Sequence, residues 1–166
     1  ELSSLFSRCL ARQCGEILSV LGGGDILEFG AGSGVMAADI LAELNALDGL
    51  PCHYYILELS AELRERQQET IREKVPHLAE RVVWLDGLPE SGFRGVVLAN
   101  EVLDAMPVHR FRIENGEPRE WCVAWNGKSF SLDGRDPAEP LRQRLKSLQT
   151  ELALAEGYES ELNLRA

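Results

Sequence analysis

One short stretch sets the terms for the whole chain: Asp25-Ile26-Leu27-Glu28-Phe29, followed by Gly30-Ala31-Gly32-Ser33-Gly34 and then Val35-Met36. The first five residues are mostly apolar and read as a buried strand. A helix-period row of Val35, Met36, Ile40, Leu41, Leu44 and Leu47 starts immediately after the glycines. Strand, glycine turn and helix in that order open a βαβ unit, which restricts the chain to the α/β class. The glycines fall as G-x-G-x-G, with Glu28 two residues before the first. A dinucleotide fingerprint, G-x-G-x-x-G, would put its third glycine at Val35. The observed spacing points away from a pyrophosphate cradle, and toward a turn where bare backbone approaches a nucleoside that carries no phosphate.

The remaining elements follow from periodicity. Residues 2–20 read as a helix with Leu2, Leu5, Phe6, Cys9, Leu10, Ile17 and Leu18 as its apolar stripe, stopped by Gly22-Gly23-Gly24. The helix after the glycine turn ends at Gly49 and Pro51, and residues 53–58 read as a second strand. Ser60 is placed to cap a third helix, with Glu62 in its first turn, Leu63, Ile71 and Val75 inward, and a charged, solvated outer face through about Lys74. Arg81 to Leu85 and Gly95 to Ala99 are the third and fourth strands, and the apolar run of the fourth predicts full burial. Val108 to Ile113, Arg119 to Trp125 and Lys128 to Leu132 read as an antiparallel ribbon. Asn126-Gly127 is its two-residue hairpin signal, and Asn115-Gly116 falls in a slightly longer turn. Asp136 and Pro137 open a last helix lined by Leu141, Leu145, Leu148, Leu152 and Ala155, closed by Gly157. The expectation is one α/β domain over residues 1–166: a Rossmann-like parallel sheet with helices on both faces and an appended antiparallel β-ribbon.

Composition narrows the partners. The net charge of −10 and the lack of a basic stripe argue against nucleic acid and favour cationic ligands. No apolar run approaches the length of a membrane span, so no membrane insertion is expected. Cys9, Cys14, Cys52 and Cys122 include no C-x-x-C pair, which suits reduced thiols in a cytosol-like compartment. No His/Cys/Asp spacing resembles a metal site. There is no signal peptide. The sequence begins with Glu1 and ends at Arg165-Ala166, which we read as a fragment of a longer protein.

Ligands of open parallel sheets bind beyond the carboxyl ends of the strands. In this chain those ends carry Glu28, Glu58, Asp86, and Asn100 with Glu101. An acid at every strand end is costly unless it serves a polar ligand, and one shared ligand is the expectation. S-adenosylmethionine fits the chemistry, since it carries a sulfonium and an ammonium and lacks phosphate. Gly30, Ala31, Gly32 and Gly34 would let backbone contact it. Glu58 would accept from both ribose hydroxyls, and Leu59 beside it is also expected to contact the cofactor. Asp86, next to Gly87, would take the adenine amine, and Glu28 would face the amino-acid ammonium, directly or through water.

Glu28-Phe29-Gly30-Ala31-Gly32-Ser33-Gly34 resembles motif I of class I S-adenosylmethionine-dependent methyltransferases. More narrowly, the MidA-type methyltransferase family is resembled in three blocks: Ile56-Leu57-Glu58-Leu59-Ser60-Ala61-Glu62-Leu63-Arg64-Glu65-Arg66-Gln67, Val97-Leu98-Ala99-Asn100-Glu101-Val102-Leu103-Asp104-Ala105-Met106-Pro107-Val108-His109-Arg110-Phe111, and Gly157-Tyr158-Glu159-Ser160-Glu161-Leu162-Asn163. The opening Glu1-Leu2-Ser3-Ser4-Leu5-Phe6 fits as well. Members are roughly twice as long, with further N-terminal and C-terminal parts. The resemblance implies methylation of arginine in a protein substrate, and in mitochondrial members a role in assembling respiratory complex I. A bacterial member would be cytoplasmic and a eukaryotic one would sit in the mitochondrial matrix.

Methyl transfer is an in-line displacement that needs a positioned nucleophile more than acid or base strength. Carboxylates can hold a guanidinium bidentately. Glu101 is the expected orienting acid, with Asp104 on the same face of a short helix in support and Asn100 beside them. His109 lies in a predicted strand and reads as structural. Two other classes compete. A non-catalytic adaptor would use Trp121, Trp125 and Phe130 as a docking surface if they are exposed. An NAD-dependent oxidoreductase is disfavoured by the glycine spacing.

Overall fold

The computed structural model describes residues 4–89 and 92–164. Leu2, placed in the stripe of the first helix, lies outside them. The chain divides into two compact units, Glu1–Val102 and Leu103–Ala166.

The first unit runs α1 (Ser4–Leu21), β1 (Asp25–Phe29), α2 (Val35–Ala46), β2 (Tyr54–Leu57), α3 (Ala61–Lys74), β3 (Val82–Leu85) and β4 (Gly95–Leu98). All four strands are parallel, in the order β3-β2-β1-β4. Register puts Ile26 beside Tyr54 and Val96, and Tyr54 beside Val82, so one sheet face presents a continuous apolar row. That row packs with Ala38, Ile40, Leu41 and Leu44 of α2 and Ile71 of α3 in one core. Helices on both faces were expected; among the described residues of this unit, all three helices join the core on a single face. The reason is topological. Both β1-α2-β2 and β2-α3-β3 step toward the same sheet edge, and right-handed crossovers then put α2 and α3 on the same side.

Two further differences concern β4 and α1. The strand expected to be fully buried, β4, is the sheet edge, and Val97 on its uncovered side is 52% exposed. The buried stripe of α1 is Ser7, Ala11, Cys14 and Leu18, while Leu5, Phe6 and Ile17 face outward. Small residues let α1 lie close against α2, and small residues are weakly marked on any hydrophobicity scale. Arg8 and Arg12 of α1 both bond Glu43 of α2, at 2.8 and 3.1 Å.

The second unit is an antiparallel sheet in the order β7-β6-β5-β8, built from β5 (His109–Glu114), β6 (Glu117–Trp125), β7 (Phe130–Arg135) and β8 (Glu159–Leu162). Leu141 and Leu145 of α4 (Leu141–Glu151) bury against Phe111 and Ile113. The two turns exchange their expected forms. Glu114 pairs with Glu117, so Asn115-Gly116 is the tight two-residue turn, both residues at positive φ as a type I′ turn requires. Trp125 pairs with Phe130, and Asn126 organises the longer loop by accepting from the backbone N–H of Lys128 and Ser129. The last helix starts at Leu141 rather than at Asp136, which instead pairs with Arg119. It ends at Glu151, leaving Leu152 and Ala155 exposed. Gly157 does not close it; its N–H bonds Ile113 O and leads into β8, a strand the sequence reading did not include.

Candidate functional site

The parallel register brings the residues after β1, β2, β3 and β4 to one edge of the first unit. At β1 the chain passes through Gly30, Gly32 and Gly34 at φ 61, 54 and 79 before α2 begins. These left-handed conformations favour glycine, and they let the turn fold back with Gly30 exposed and Gly32 half-buried. A Cβ at Gly32 would meet nothing within 4 Å, so that position opens to space. Gly34 differs: a Cβ there would lie 3.0 Å from the Cα of Gln67, because α3 packs directly on the turn.

Two hollows lie along this edge. One, of about 250 Å³, is lined by Glu28, Gly30, Ala31, Gly32 and Asn100 together with Ser7 of α1. The second, of about 330 Å³, is lined by Glu58, Leu59, Ala61, Arg64 and Asp86. The acids expected around one ligand are therefore divided, with Glu28 at one hollow and Glu58 and Asp86 at the other. Gly87 and Gly34 line neither. A larger groove near the C-terminal end of α1, holding Arg12, Leu44 and Asp48, is remote from the strand ends.

Glu28 is almost wholly buried, and its Oε2 accepts a 2.7 Å hydrogen bond from the Tyr54 hydroxyl. Burial raises its carboxyl from the ordinary 4.5 to about 7, against the lowering effect of the tyrosine donor. Tyr54, fully buried beside it, is raised well above 10 by the same desolvation and by the neighbouring acid. Glu58 is 7% exposed. The backbone N–H of Ser60 donates to its Oε1 at 3.0 Å, and Gln67 Nε2 donates to its Oε2 at 3.1 Å. Ser60 caps α3 as expected, accepting from Leu63 N–H. Arg64 donates to the Glu58 carbonyl and pairs with Asp86, each at 2.8 Å, and also donates to the Leu85 carbonyl. Asp86 stays open to solvent on its other side.

Asn100 lines the first hollow. Glu101 is exposed and held at φ 55, a left-handed conformation uncommon for a residue with a side chain. The short helix expected to carry both Glu101 and Asp104 is a single turn, Leu103–Ala105, that starts after Glu101. Asn100 and Glu101 belong to the first unit and Asp104 to the second. His109 sits in β5 with its Nδ1 2.8 Å from Glu120 Oε1.

Sequence reasoning missed Gln67. It is fully buried, and its Nε2 reaches both Gly32 O and Glu58 Oε2, each at 3.1 Å, while its Oε1 accepts from Trp84 Nε1 at 2.9 Å. The available signal was its position: Leu63, Gln67, Ile71 and Val75 follow at intervals of four, which puts a polar amide in an inward row. Among the described residues no cluster of three metal-ligating side chains occurs, and no helix is long and apolar enough to cross a membrane.

Against known proteins, residues 9–166 match the sequence profile of a family described as "Putative S-adenosyl-L-methionine-dependent methyltransferase". A crystal structure from Burkholderia thailandensis bound to S-adenosyl-homocysteine is 41% identical with a TM-score of 0.75, covering 98% of this chain and 41% of that one. A native crystal structure of an uncharacterized protein from the same organism is also 41% identical at a TM-score of 0.75, covering 97% of this chain and 42% of that one. The chain thus spans about two fifths of the length of these two proteins. A comparison with curated proteins gave no match.

Proposed function

This chain belongs to that family of S-adenosyl-L-methionine-dependent methyltransferases, and from that premise we propose that the edge of its parallel sheet holds the cofactor and that the protein methylates an arginine side chain of a protein substrate. An extended nucleoside–amino acid fits two adjoining hollows better than it fits one round cavity. In this reading its adenosine end lies over Glu58, Leu59 and Asp86, and its amino-acid end over Gly30, Gly32 and Glu28. Glu58 accepts from the ribose hydroxyls, because the lone pairs its two donors leave free are the ones available to the hollow. Glu28 receives the cationic end.

The observation that carries the cofactor reading is Glu58: a carboxylate buried at the end of β2, held at both oxygens, yet lining an open hollow. When bound, S-adenosyl-L-methionine supplies an electrophilic methyl on a sulfonium. The protein's part is to orient the acceptor and keep water out. Glu101 would hold the guanidinium and Asn100 would line its approach. The strained backbone of Glu101 supports this, since such conformations persist where function selects them. Asp104 as a supporting acid is a separate proposal, now without a shared helix behind it. Complex I assembly as the setting of the reaction belongs to the same reading.

The test is calorimetry with S-adenosyl-L-methionine and NAD side by side, followed by transfer of a labelled methyl to arginine-containing polypeptides. Saturable binding of the first ligand alone, with label recovered on arginine, is the expected result. Binding of NAD alone would overturn it.

A second reading has its own observation. Trp125, Phe130 and Val123 are 58%, 76% and 69% exposed, with the two aromatic rings 4.9 Å apart. Such a patch supports a protein-docking role for the ribbon, with or without catalysis. Tight cofactor binding with no methylation of any basic partner would favour it.

A further inference from the structure

We propose that Gln67 is a positioning residue for this site: its side-chain amide sets the Glu58 carboxylate against the glycine turn, and so tunes recognition of a ribose. This rests on Glu58 receiving the ribose, as proposed above.

The amide has only one way round. Trp84 Nε1–H is a donor with no acceptor capacity, so the atom 2.9 Å from it is the amide oxygen. The nitrogen then faces two acceptors, Gly32 O and Glu58 Oε2, each at 3.1 Å. Both of its hydrogens are used. One side chain thereby ties three successive strands' ends together: the turn after β1, the acid after β2, and Trp84 on β3.

A buried primary amide is costly unless it is fully bonded, and at an inward position of α3 an apolar side chain would pack without that cost. Gln67 is fully buried and fully bonded. The helix is also brought unusually near, since a Cβ on Gly34 would lie 3.0 Å from the Gln67 Cα. This approach sets the start of the Gln67 side chain beside the turn, from which its length reaches Glu58. With Ser60 N–H on Oε1 and Gln67 on Oε2, the carboxylate plane is fixed from both sides. Its remaining lone pairs are then oriented for a ligand before any ligand arrives, which is how a rigid acceptor discriminates a diol from a lone hydroxyl.

The test compares two ligands on the full chain: S-adenosyl-homocysteine and its counterpart lacking the ribose 2′-hydroxyl. Wild type should prefer the first by about tenfold or more, the value of one hydrogen bond to a charged acceptor. Gln67→Met keeps the shape and helix preference of the residue but removes both donors. It should shrink that preference to about threefold or less. Trp84→Phe, which removes the donor that holds the amide in place together with part of a core-packed ring, leaves Gln67 and Glu58 themselves unaltered; it should move the ratio in the same direction and carries the test if Gln67→Met does not fold. A merely structural role would weaken both ligands by one common factor. A wild-type ratio retained in the folded variants therefore sinks the role of Gln67 while leaving the ribose reading intact. Equal binding of both ligands by wild type sinks the ribose reading itself, and this proposal with it.

Discussion

The Tyr54 hydroxyl donates to Glu28 across 2.7 Å, from the second strand of the sheet to the end of the first, and both side chains are buried. The pair places a buried carboxyl in the lining of the first hollow. Desolvation outweighs the tyrosine donor and raises the carboxyl from 4.5 to about 7. The native state therefore keeps this proton to higher pH than the unfolded chain does. The associated stability is complete below about pH 4.5, declines as pH rises, and is lost above about 7, which amounts to about 3 kcal/mol. Urea unfolding of the ligand-free protein at pH 5 and pH 8 should show the fall, and Glu28→Gln should flatten it. An identical slope in the variant would assign the fall to other groups.

The same proton gives a binding signature. A cationic ligand end beside Glu28 favours the ionised carboxylate, so affinity should rise as pH passes from 6 to 8, with proton release on binding near pH 6. Calorimetry in buffers of different ionisation enthalpy measures that release directly. Binding without proton exchange would place the ammonium elsewhere.

Gly32 and Gly34 should respond differently to alanine. Both adopt positive φ, so both substitutions cost about 1 kcal/mol in backbone strain. Only at Gly34 does the new methyl meet atoms, and those are the backbone and stem of Gln67. Gly34→Ala should lower stability by about 2–3 kcal/mol, whereas Gly32→Ala should fold with a small loss and bind S-adenosyl-homocysteine poorly, because its methyl fills space the ligand needs. Thermal unfolding and calorimetry on both variants decide it; equal stability losses would contradict the packing described for α3.

Glu101→Gln should leave cofactor affinity within about twofold of wild type and reduce methyl transfer by at least about a hundredfold, the scale of losing an orienting charged contact. Label transfer at saturating cofactor is the measurement. Undiminished turnover would remove Glu101 from the reaction.

Much of this was legible in the chain. The strand, glycine turn and helix around Gly30–Gly34 carry their own punctuation, and Ser60 announces the start of α3 through a local cap. Local signals of that kind depend on few neighbours. What the sequence did not reveal depends on what packs where. The buried face of α1 runs through Ser7, Ala11 and Cys14, chosen by the close approach of α2 and not by apolarity. Val97 is exposed because β4 is an edge, a property of strand order that its own residues do not encode. The two hairpin turns were exchanged because both contain Asn-Gly, and only cross-strand register tells which turn is tight. Gln67 was passed over because a glutamine on a charged helix looks solvated until the turn is seen against it.

Recognition of the cofactor depends most directly on Glu58. Calorimetric titration of the Glu58→Ala variant with S-adenosyl-homocysteine, beside wild type and with folding checked by thermal unfolding, reads it in one experiment. Loss of two hydrogen bonds to a charged acceptor should weaken binding by about a hundredfold or more in a protein that still unfolds cooperatively. Wild-type affinity in a folded Glu58→Ala protein would contradict it.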